Sequence, residues 1–215
     1  MGPPCASIPI NLLYQSPPTN IYPIYDPLMQ TSATLSTSLS LNRRLLHTLL
    51  FYMGWVVCLK SAALQAPWLG SIVVSSILVF HFWQSTSRWA DLLSLLAVMA
   101  VGPLSDMLYL KLKLLEYTNA SPQLEYMPPI WVFLLWALFG INLHLFAWMH
   151  GKRKWAILFG GIGGPISYLS AVRLGGAILL QPLPWTLFVI GLCWVILLPF
   201  FLACNQAARS HWPSS

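Results

Sequence analysis

Six apolar segments, at about 45–64, 68–83, 90–110, 129–149, 155–180 and 185–204, take up most of the chain beyond residue 44, with only short polar breaks between them. An apolar run of about twenty residues is what an α-helix needs to cross the hydrocarbon core of a bilayer. In lipid every backbone polar group must be satisfied within the structure, so runs of this kind fold as helices. The charged residues agree. They make up 7% of the chain, against about 25% in soluble domains, too few to cover a water-facing surface. The expected fold is all-α: a polytopic transmembrane bundle of about six helices, with helix five packed centrally, at 43–205.

Residues 1–42 differ from the rest. They are rich in Pro, Ser and Thr, hold one charged residue, Asp26, and lack helical periodicity. That composition predicts a disordered tail, with Met29 as an alternative start, and residues 206–215 read as a short cytoplasmic tail. MGPPCAS lacks the Ser or Thr that a myristoylation signal needs at position 6. Arg43-Arg44 followed by an apolar run imitates a signal peptide, but Lys60 falls where the cleavage region should be neutral, so the first helix is expected to stay uncleaved.

The net charge is +6, yet the basic residues are scattered between spans and form no nucleic-acid patch. They report topology instead. In a six-helix count Arg43, Arg44, Arg88, Lys152, Arg153, Lys154 and Arg209 fall on one side, while Lys60, Lys111 and Lys113 fall on the other with Glu116 and Glu125. Positive residues stay cytoplasmic, which predicts both termini inside. Cys58, Cys193 and Cys204 lie within or at the ends of spans without paired spacing, as small hydrophobes do.

One span is unusual. "GGIGGPISYLSAVRLGG", residues 160–176, places glycines, a proline and an arginine in an apolar setting. On a helix, Gly163, Ser167, Ala171 and Gly175 recur every fourth residue as a small-residue stripe, and Gly160 with Gly164 adds a GxxxG. Such stripes let helix backbones approach closely. Pro165 removes a helical donor, which predicts a kink or break. Arg173 lies about 27 Å along the helix from Trp155, and Asp106 about 27 Å along its own from Arg88. Their matched depth and opposite sign predict an ion pair, which Lys60 could join; snorkelling of Arg173 is the alternative.

His81, Asn142 and His144 form a second candidate cluster toward the other side. No HExxH, third ligand or carboxylate partner accompanies the histidines in the sequence, so no metal site or cofactor is expected. Helix-bridging hydrogen bonds are the first reading, with proton handling or head-group binding as others.

"FYMGWVVC", "GPLSD", "LLWALFGINLHLFAW" and "GGIGGPISYLSAVRLGGA" resemble, in that order, segments of a family of small bacterial inner-membrane proteins catalogued as domain of unknown function 2878. The resemblance covers roughly residues 45–204. It departs at Ser170-Ala171, where such sequences carry Ala-Gly. It implies a multi-pass protein of the bacterial inner membrane and no particular reaction. Three functions stay open: a binder or carrier of a lipid or small hydrophobic molecule, an intramembrane lipid-modifying enzyme using His81 and His144, or a structural partner of a membrane complex. The expected partners are membrane lipids, with a membrane protein or a second copy of the chain as further options, and no nucleic acid.

Overall fold

The computed structural model describes Gly2 and residues 27–120 and 126–212, with side-chain surroundings from Leu41 onward. The chain divides into Met1–Leu41 and Asn42–Ser215, and the architecture below concerns the second unit. Most of the expected tail, residues 3–26, lies outside the described residues. Helix α1, Pro27–Ala63, opens within that tail, so residues 27–42 are helical. Pro27 suits a first turn, where its missing N–H costs no helical bond.

Helices α2 (Pro67–Gln84), α3 (Arg88–Lys111), α4 (Ile130–Ile141), α5 (Arg153–Leu174) and α6 (Leu183–His211) follow. Five helical stretches, Leu41–Ala63 of α1 and helices α2, α3, α5 and α6, are each long and apolar enough to cross a membrane. A sixth candidate is a bent pair of helices. Helix α4 stops at Asn142, and a 3-10 helix, Leu143–Met149, continues at 48° to it. The hydropathy of residues 129–149 predicts one continuous span there. Helix α3 packs between α4 and α6, α2 lies on α4, and α5 lies on α6. Phe159, Ile162 and Ile166 of α5 are exposed. Helix five is therefore an outer helix, not the central one.

The fifth span also ends earlier than expected. Gly175 adopts φ 86°, a left-handed conformation that disfavours side chains, and the N–H groups of Gly175 and Gly176 turn back to the carbonyls of Val172 and Ala171. This is a glycine C-cap. The chain then forms β2 (Ala177–Leu179), antiparallel to β1 (Leu115–Tyr117), with Tyr117 opposite Ala177. The loop after α3 thus carries a strand that ties it to the end of α5. Helix α6 in turn continues to His211, through residues read as a tail.

The glycines of α5 face α6, though not along the stripe expected. A Cβ at Gly160 would fall on the backbone carbonyl oxygen of Trp194, and one at Gly164 on the Trp194 indole. Gly163 is exposed and meets nothing within 4 Å. Gly175 does approach another helix, at the Ala63 side chain, but its φ is the stronger constraint. Ser167 bonds the Gly164 carbonyl of its own helix at 2.7 Å, and Ala171 is buried. The working pair is Gly160 and Gly164, because a helix interface follows the i, i+4 ridge that meets its neighbour. Helix α5 runs unbroken through Pro165. Pro165 leaves the Gly161 carbonyl without its helical donor, and Gly191 of α6, lacking a side chain, lies over that carbonyl.

Candidate functional site

Two carboxylates are buried on α3, about 22 Å apart along its axis, and each gathers side chains from several helices. Asp106, at the end where β1 and β2 pair, is fully buried. Its Oδ1 accepts hydrogen bonds from the hydroxyls of Tyr117 and Tyr168, both at 2.5 Å, and its Oδ2 accepts one from Trp136 Nε1 at 2.5 Å. Tyr117 stands on β1, Tyr168 on α5 and Trp136 on α4, so this one residue ties four elements together. Burial first, then the Asp106 charge, holds the Tyr117 hydroxyl well above its ordinary pKa, so it remains a donor.

The glycines explain how Trp136 reaches Asp106. A Cβ at Gly102, one turn earlier on α3, would overlap the Trp136 indole. The other side of that indole stacks on Trp194, with ring centroids 5.4 Å apart and planes 15° apart. Trp194 is the residue seated on Gly160 and Gly164. The small residues of α5 thus position α6, Trp194 positions Trp136, and Trp136 completes the carboxylate's hydrogen bonds. The expected ion pair is corrected here. Arg173 and Lys60 are exposed and neither touches Asp106. Three neutral donors replace the cation, since a carboxylate can be held by hydrogen bonds alone. Among the described residues Asp91 pairs with Arg209 as an ion pair and with His81 through a hydrogen bond, which becomes an ion pair only when the imidazole is protonated.

Those pairs form the second centre, at the opposite end of the bundle. Asp91 lies in the first turn of α3, where the helix dipole favours a carboxylate. Its Oδ1 accepts from Arg209 of α6 at 2.6 Å. Its Oδ2 accepts from Ser85 at 2.7 Å and lies 3.0 Å from His81 Nε2 of α2. His81 also contacts His47 of α1 and His144 of the 3-10 helix, with centroids 5.4 Å and 5.7 Å away, and His47 and His144 are 5.1 Å apart. Three imidazoles therefore close a triangle. His144 Nδ1 is 2.9 Å from the Ile141 carbonyl, and His81 Nδ1 is buried without a partner. The break after α4 is what turns His144 into this group. Asn142 serves the break itself, donating to the Leu138 carbonyl at 2.8 Å.

The structure places His81 and His144 side by side and adds a third histidine and a carboxylate that sequence reasoning missed. The available signal was Asp91 itself, an acid on the side that otherwise carries the basic residues. Among the described residues no three His, Cys, Asp or Glu side chains are placed to hold a metal ion.

The fold and its two buried centres define a multi-pass α-helical membrane protein. Residues 44–200 match the family described as Protein of unknown function (DUF2878), and the chain belongs to that family. No curated protein and no solved structure matches it.

Proposed function

We propose that the protein binds or moves a lipid or small hydrophobic molecule, and that the polar part of this ligand meets the centre formed by His47, His81, His144, Asp91 and Arg209. The observation that carries the reading is the break at Asn142. Interrupted membrane helices that deliver polar side chains to one point are how membrane carriers build binding sites. Ionisable groups in such spans are costly and mark function more often than packing. Asp106 supports the assignment by contrast: each of its oxygens is occupied by protein donors, which leaves it a structural role.

The experiment is lipidomics of a deletion strain against its parent. A changed abundance or distribution of one lipid class is expected. An unchanged profile would favour a structural partner instead. One observation favours a second reading, an enzyme acting on lipid: Asp91 holds His81 by one ring nitrogen and leaves the other free, as acid–base histidines require. Loss of a distinct product, and not a redistribution, would mark that case.

The same centre lies at the end of the bundle that carries Arg43, Arg44, Arg88, Lys152, Arg153, Lys154 and Arg209. By the positive-inside rule it faces the cytoplasm of an inner membrane, with both termini there. Single cysteines at Glu116 and Ser210, both exposed, check this in a form whose native cysteines are replaced. An impermeant thiol reagent should label intact cells at 116 and not at 210. The reverse pattern inverts the orientation.

A further inference from the structure

We infer that the histidine centre takes an uncharged hydroxyl head, that of a long-chain alcohol or another lipid ending in a free hydroxyl. This rests on the binding role proposed above and narrows its ligand class.

The Ile141 carbonyl can only accept, so His144 Nδ1 carries the hydrogen facing it. Asp91 accepts from Arg209 and Ser85, so His81 Nε2 donates to it as well. In their neutral forms the two rings then present bare lone pairs at His144 Nε2 and His81 Nδ1, the latter buried without a partner. His47 contributes one donor and one further lone pair. Arg209 Nε is a further donor buried without a partner, so the centre leaves one buried acceptor, His81 Nδ1, and one buried donor unmatched, and both are costly.

A ligand must therefore bring a donor. A carboxylate or phosphodiester is attracted by the arginines but brings no donor, so it leaves the buried His81 Nδ1 unmatched beside Asp91. An ammonium brings donors but enters beside Arg209, with Arg43 of α1, which donates to the Gln84 carbonyl, and Arg88 at the same end. Like charges at short range are repelled most where water is scarce. A hydroxyl donates to one imidazole, accepts from His47 and adds no charge. It is also small, which matters among rings whose centroids are 5.1 to 5.7 Å apart. His144 is only part-buried and offers the side of approach, and the Phe82 ring, 5.6 Å from His81 by centroids, lines the centre with apolar surface.

The test is thermal unfolding of the full chain in phosphatidylcholine nanodiscs, followed by tryptophan fluorescence. The probes are tetradecanol, tetradecanoate, tetradecylammonium and zinc ion. Tetradecanol should raise Tm saturably and the other three should not. His81→Phe keeps an aromatic ring without nitrogens and should abolish the shift; His144→Leu, at the more exposed edge, should weaken it and serves if the first variant does not fold. Stabilisation by the acid, the ammonium or zinc in place of the alcohol would overturn the inference and leave the binding role standing. So would an alcohol shift that is unchanged in both variants. A Tm that no probe moves overturns it too, and the deletion-strain lipid profile then decides the binding role separately.

Discussion

Gly160→Ala destabilises the protein by about 1 to 3 kcal/mol, while Gly163→Ala on the same helix is neutral or slightly stabilising. The added methyl at 160 meets the Trp194 carbonyl, a backbone atom that moves only if α6 moves. At 163 it meets nothing within 4 Å, so only the helix preference for alanine over glycine remains. The opposite sign of two identical substitutions three residues apart separates packing from composition. Thermal unfolding of both variants in the same detergent measures it. Equal destabilisation by the two would mean that α5 and α6 meet on a different face. The small-residue stripe read from the sequence expects the reverse order, with 163 the sensitive site.

The second large effect is at Asp106. Asp106→Leu strands two phenol hydroxyls and an indole N–H in a buried setting, each costing about 1 to 3 kcal/mol, so the loss should be on the order of 3 kcal/mol or more. Asp106→Asn is the finer probe. The amide oxygen can keep both tyrosines, but its NH2 then faces the Trp136 indole N–H, donor against donor. Trp136→Phe removes that conflict, so the Asp106→Asn, Trp136→Phe pair should be less destabilised than the two single changes sum to. Purely additive losses would mean that the indole and the carboxylate do not interact. Arg173→Gln, on an exposed residue with no bond to Asp106, should change stability little.

The span count, the apolar faces and the positive side of the bundle are all readable from hydropathy and basic residues, because lipid imposes those patterns on every helix it surrounds. The pairing within the bundle is another matter. Matched depth predicts Arg173 beside Asp106, but depth fixes only one coordinate of a helix residue. Rotation about the axis fixes the other, and that depends on which ridge a neighbour occupies. The same limit moved the glycine contact from 163 to 160 and 164. Asp106's true partners were hidden for a second reason. Tyr117 lies in a polar loop with no helical period, and its place on β1 is set by pairing with residues beyond Gly175, a distant segment read as helix. His81 and His144 were visible as polar residues in apolar runs. His47 gives no signal, being one polar residue within an otherwise ordinary first span, and Asp91 reads as a helix-start acid until Arg209 is seen to reach it from the far end of the chain.

The claim that the histidine centre is the ligand site, and Asp106 a structural tie, is tested most directly by native mass spectrometry of the protein released from nanodiscs formed with native lipid. Wild type should retain a bound lipid or small hydrophobic molecule, and His81→Phe should lose it while unfolding within a few degrees of wild type. The same ligand held equally by wild type and His81→Phe would place the site elsewhere in the bundle and contradict the assignment.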